Sequence, residues 1–109
     1  MREYIPDRWV ILEFDAPNLE KPMQKVFGGW YGGFTQGDSW KLNSGITKTT
    51  KDGDWFHFEG YSGSVYQAHP NGYGMSGYMS NILASWQKQA EERGDITIRI
   101  LDIDEIVES

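Results

Sequence analysis

Only one stretch of this chain repeats its apolar residues at helical spacing. Met75, Met79, Ile82, Leu83, Trp86 and Ala90 recur at steps of three and four and form a single stripe. Ser76 stands where a helix N-cap is needed and Gly94 where a helix ends, which predicts one helix over about 76–93. A lone helix with one apolar stripe must lay it on something, and the other segments read as strands. The fold class is therefore α+β: an antiparallel sheet of five or six strands, arranged as a meander, packed on a single helix near the C-terminus.

The strands are placed by period and by turn chemistry. Arg8 to Phe14 has β-branched and aromatic residues on both faces, as a central strand requires, and Asp15-Ala16-Pro17-Asn18 stops it. Residues 23–34 form a second strand whose paired glycines bend it or admit a close neighbour. Ser39 to Lys51 alternates weakly and leads into Asp52-Gly53, a hairpin signal, so Trp55 to Tyr61 is the return strand. That strand puts Phe56 and Phe58 on one face and Trp55, His57 and Glu59 on the other. Ser64 to Ala68 is a short strand, and Ile96 to Leu101 alternates as the last one. The tail, Asp102 to Ser109, reads as an acidic, fraying end.

With 109 residues the chain has room for one core, so residues 1–109 are one domain. The core material is aromatic: five Trp, six Tyr and five Phe. Cysteine is absent and the longest apolar run, Trp9 to Leu12, is too short to span a bilayer, so a cytoplasmic protein with no membrane partner is expected. The net charge is −6. Residues 1–50 carry six basic and six acidic side chains, and residues 51–109 carry four and ten. That imbalance repels phosphate backbones, disfavours nucleic acid and favours a basic partner surface.

Three constellations hold chemical potential. Gly72-Tyr73-Gly74-Met75-Ser76-Gly77 fits G-x-G-x-x-G ahead of the helix and resembles the dinucleotide-binding fingerprint. The resemblance implies an anion or nucleotide site at Gly72, Gly74, Ser76 and Gly77, although His69-Pro70-Asn71 separates the first glycine from its strand. His57, Glu59 and His69 form the second set, a two-histidine, one-carboxylate combination suited to a metal or to proton transfer in a small enzyme. No nucleophile, acid, base and ligand set converges in the sequence, so the chain reads as non-catalytic and calls for no cofactor.

The aromatics are the third set. One helix covers only one face of a sheet, so some of Trp30, Tyr31, Trp40, Trp55, Tyr61 and Tyr73 are expected to reach solvent. Exposed Trp and Tyr offer large rigid contact area. The functional expectation is a binding module that engages another protein, or a second copy of itself, through these residues. Trp40 and Tyr73, both expected in loops, are its first anchors.

Overall fold

The computed structural model describes residues 2–32 and 37–109; the expected continuation of a strand over residues 33–34 lies outside them. Eight strands and one α-helix are described: β1 (Glu3–Tyr4), β2 (Arg8–Asp15), β3 (Met23–Trp30), β4 (Ser39–Leu42), β5 (Ile46–Asp52), β6 (Trp55–Gly60), β7 (Val65–Ala68), α1 (Gly77–Arg93) and β8 (Thr97–Ile100). The α+β class and the single helix near the C-terminus match the expectation. Ser76 Oγ accepts the Met79 N–H at 3.2 Å, and the Gly94 N–H closes the last turn on Ala90 O.

The sheet does not match it. In place of one meander there are two four-stranded sheets, ordered β1-β7-β6-β5 and β4-β3-β2-β8. Each contains a three-strand antiparallel meander, and β1 joins the first in parallel with β7. The split occurs inside the segment that reads as one strand from Ser39 to Lys51. Asn43 donates its N–H to Val26 O at 2.9 Å and takes the Val26 N–H on its side-chain Oδ1 at 2.9 Å, so one residue ends β4. Gly45 follows at a φ of 132°, a left-handed value that favours glycine, and turns the chain across to the other sheet.

The β2–β3 sheet is the middle of three layers. Trp9, Val10, Ile11 and Leu12 are each 2% exposed or less. Trp9 and Ile11 meet Val26, Phe56, Phe58, Tyr66 and Leu101 between the sheets; Val10 and Leu12 meet Phe27, Met79 and Leu83 under the helix. The apolar-on-both-faces pattern of this strand thus has a partner on each side. The glycines of β3 admit a close neighbour: a Cβ at Gly29 would run into the buried Met79 side chain, so glycine leaves the room into which the helix places Met79.

The tail is docked, correcting the expectation that it frays. After β8 it makes a turn at Ile103–Glu105, packs Ile103 and Ile106 on the inter-sheet core and reaches β5. There the Ser109 N–H donates to Thr49 O at 2.9 Å, Ser109 Oγ accepts the Thr49 N–H at 2.8 Å and Glu108 Oε1 accepts the Lys51 N–H at 2.8 Å. The β5 edge is thereby closed.

Candidate functional site

Among the described residues the two most exposed large apolar side chains, Val107 at 73% and Tyr61 at 70%, border the same cleft of about 480 Å³. Its floor runs from Lys21 to Gln24 at the start of β3, and its opposite wall is β5 at Ile46, Thr47 and Thr49. Tyr61 is fixed from behind: its N–H donates to Gly45 O at 3.1 Å, and its ring lies against Gly45, where a Cβ would stand 2.9 Å away. One edge of the ring rests on Gly45 while the rest is bare. Thr47 is the extra residue of a bulge, since Ile46 pairs with Gly60 and Lys48 with Glu59, and its hydroxyl donates to Glu59 O at 3.1 Å.

Val107 is positioned by the docked tail. The Arg99 guanidinium bridges Glu105 at 2.9 Å and Glu13 at 3.2 Å, tying the turn to β2. Glu105 also accepts the Asp102 N–H at 2.9 Å. That backbone bond, and then the Arg99 charge, hold the Glu105 carboxyl below its ordinary value, while its carboxylate raises Arg99.

The six aromatics expected at a binding surface are dispersed. Tyr31, Trp40 and Trp55 are exposed like Tyr61 but stand apart from the cleft. Trp30 is half-buried, with Nε1 donating to Ile5 O at 2.9 Å and its edge against Tyr4. Trp40 lies on β4, not in a loop, and its ring packs on Phe27 and Trp86. Trp55 meets His69 edge to face at 5.0 Å on the outer side of β6.

Tyr73 is not an exposed loop anchor. It is half-buried, its ring stands 4.7 Å from Trp9, and its hydroxyl donates to Leu101 O while taking the Ile11 N–H at 3.4 Å. Burial raises its pKa, against the lowering effect of the Ile11 bond.

The first half of the glycine-rich loop is taken up by its own fold, while a Cβ at Gly77 would meet nothing within 4 Å. Gly72 N–H donates to His69 O, Tyr73 N–H to Pro70 O and Gly74 N–H to Trp9 O, while Arg8 Nη2 donates to Tyr73 O at 3.2 Å. The strand before it, β7, and the strand after the helix, β8, lie in different sheets, so the parallel β-α-β unit of the dinucleotide fold is absent from the described residues.

His57 and Glu59 share the outer face of β6, and His69 lies against Trp55 on that face, with Nδ1 accepting the Asn71 N–H at 3.1 Å. These three do not come together: among the described residues no three His, Asp or Glu side chains are grouped closely enough to hold a metal ion. Nor is any described helix long and apolar enough to cross a membrane. Compared with known proteins, the chain matches no family model, no curated protein and no solved structure.

Sequence reasoning named Tyr61 but missed Val107 and the Lys21–Gln24 floor. Val107 is an isolated apolar residue in an acidic tail, and nothing local marks it as held against a strand 57 to 60 residues away in the chain, the spans of the Lys51–Glu108 and Thr49–Ser109 contacts.

Proposed function

We propose that this chain is a non-catalytic binding module for another protein, with the cleft between Tyr61 and Val107 as its contact surface. One observation carries the reading: of all the large apolar side chains described, the two left most open to water face the same recess. An exposed tyrosine beside an exposed valine gives large amphipathic contact area, which is the character of an interface anchor. The cytoplasm is the proposed compartment, on the cysteine-free composition, and the charge of −6 disfavours a nucleic-acid partner.

The test is site-specific photo-crosslinking in the native host, with the photoreactive residue at position 61, at 107 or, as a control, at 55. The reading expects one and the same protein joined at 61 and 107 in near-stoichiometric yield and not at 55. Equal labelling at all three positions, or a co-purifying small molecule in place of a protein, would overturn it.

A further inference from the structure

The geometry points to a second binding site, for a phosphate group, in the recess where Lys41 and Ser44 at the end of β4 face Ser62, Ser64 and Tyr66. This recess shares no lining residue with the Tyr61–Val107 cleft, and the two sites stand or fall separately.

The recess holds about 420 Å³, and strand alternation builds it. Trp40 and Leu42 turn to the helix side of β4, where the Trp40 ring packs on Phe27 and Trp86. Lys41 between them therefore turns to the inter-sheet side. Its ammonium lies 5.1 Å from the centre of the Tyr4 ring and makes no ion pair among the described residues. Hydroxyls line the other wall. Ser44 Oγ accepts the Ser62 N–H at 3.0 Å, Ser62 Oγ donates to Ser64 Oγ at 3.4 Å, and Tyr66, 2% exposed, adds its phenol. Ser44 and Ser64 accept in these bonds, which leaves each hydroxyl proton free to donate.

A buried polar atom lies behind this wall. Asn43 also lines the recess and is 5% exposed; its Oδ1 is committed to the Val26 N–H at 2.9 Å, which fixes the orientation of the amide. Its Nδ2 is the one buried side-chain nitrogen or oxygen without a hydrogen-bond partner among the described residues. That nitrogen is on the Ser44 side: it and Ser44 Oγ lie 3.0 and 3.1 Å from the same point, the position a Cβ would take at Gly60. Nδ2 is itself closed to solvent, so the groups that touch the ligand are Lys41 and the hydroxyls, with the amide behind them. The wall is rich in donors and one of them is unmatched, which calls for an acceptor.

Charge decides the class of acceptor. Lys41 is the single charged residue of the lining. The acids beside it in chain or in register face elsewhere: Glu3 and Glu59 pair with Val65 on the outer face of their sheet, and Asp38 takes the Gly32 N–H at 3.3 Å. The recess is thus a positive spot on a chain of net charge −6. A sugar or a base needs a bare ring to stack on, whereas Tyr4 is engaged by Trp30, Tyr66 and Lys41, and Trp40 packs on the helix side. A planar carboxylate is best matched by the arginine fork. A lysine point charge among hydroxyl donors suits phosphate, which presents acceptors on every side.

The test is an amide NMR titration of the isotope-labelled full chain with inorganic phosphate, glycerol phosphate, acetate, glucose or sodium chloride at matched ionic strength. Phosphate is expected to shift the amides of Ser44, Ser62 and Ser64 and the side-chain amide of Asn43 along saturating curves, with a Kd of about 1 mM or tighter. Acetate should bind at least about fivefold more weakly, and glucose and chloride should leave these signals unmoved. Tighter binding of glycerol phosphate would assign a phosphate monoester, and equal binding the free anion. Lys41→Met should weaken binding at least about tenfold while Lys41→Arg keeps most of it. Ser64→Ala, expected to cost about threefold, carries the test if Lys41→Met does not fold.

Shifts that spread over the other lysines without saturating, or phosphate binding unchanged in Lys41→Met, would overturn the site. Acetate binding as tightly as phosphate would overturn the assigned chemistry, and glucose binding in place of phosphate would make this a sugar site. None of these outcomes touches the crosslinks at 61 and 107, which test the cleft alone.

Discussion

The two sheets have four strands each, yet they live in different environments. The β4-β3-β2-β8 sheet has the helix on one face and the other sheet on the opposite face, so β2 is apolar on both sides and buried from Trp9 to Leu12. The β1-β7-β6-β5 sheet is covered on one face only: Phe56 and Phe58 are buried, while Trp55, at 38% exposed, His57 and Glu59 face outward. A covered sheet contributes stability, and an uncovered one leaves side chains to spare. The cleft lies where the two meet, built from β3 of the first sheet and β5 of the second.

This contrast can be tested from its strongest effect to its weakest. Leu83→Ala, under the helix, should cost about 2 to 5 kcal/mol in denaturant unfolding, the range for truncating a buried leucine. A loss below half a kcal/mol would mean that the helix does not cover the sheet as described. Tyr73→Phe should follow at about 1 to 3 kcal/mol, because the Ile11 N–H and Leu101 C=O both lose their hydroxyl partner.

The same tyrosine and Tyr66 set an alkaline limit. Burial pushes Tyr66 up to about 12, with Tyr4 adding to the shift, and raises Tyr73 in the same direction. A group whose pKa is raised by folding contributes stability that is whole below its ordinary value of 10 and is lost as pH climbs through the folded value. Stability followed by circular dichroism should therefore fall between pH 10 and about 12, and a flat profile there would place both rings in water.

Acid acts on the cleft instead of the core. Glu105 is depressed by folding, so its contribution holds above its ordinary 4.5 and fades as pH falls through the lower folded value. Amides of the tail, Ser109 above all, should lose exchange protection there before the β2–β3 sheet does, and Glu105→Gln should produce part of that loosening at neutral pH. Simultaneous release of tail and sheet would show that the tail is integral to the core. Smallest of all, His57→Ala on the bare face should stay within about half a kcal/mol of the parent in the same unfolding measurement. A loss above 1 kcal/mol would mean that the face is covered after all.

Much of this architecture is legible one element at a time. The helix, its caps, the Trp55 return strand and the double-sided β2 each follow from residues within a few positions of one another, because 3.6-residue and two-residue periods act over that range. Tyr61 was legible as an exposed aromatic beside a turn. The break at Asn43 was not: it depends on both amide bonds of Val26, seventeen residues back. Tyr73 looked like a loop residue because nothing nearby shows that Trp9 and Leu101 converge on it.

By itself, then, the order of residues determined the class, the single helix, the strand carrying the core on both faces and the supply of aromatics, all set by local period and composition. Only the tertiary structure decided that the strands divide into two sheets, that the acidic tail closes β5, and that Tyr61 and Val107 face one recess. Those outcomes are contacts between residues far apart in the chain, and such pairings are chosen by which apolar faces can bury one another, a competition that no local pattern records.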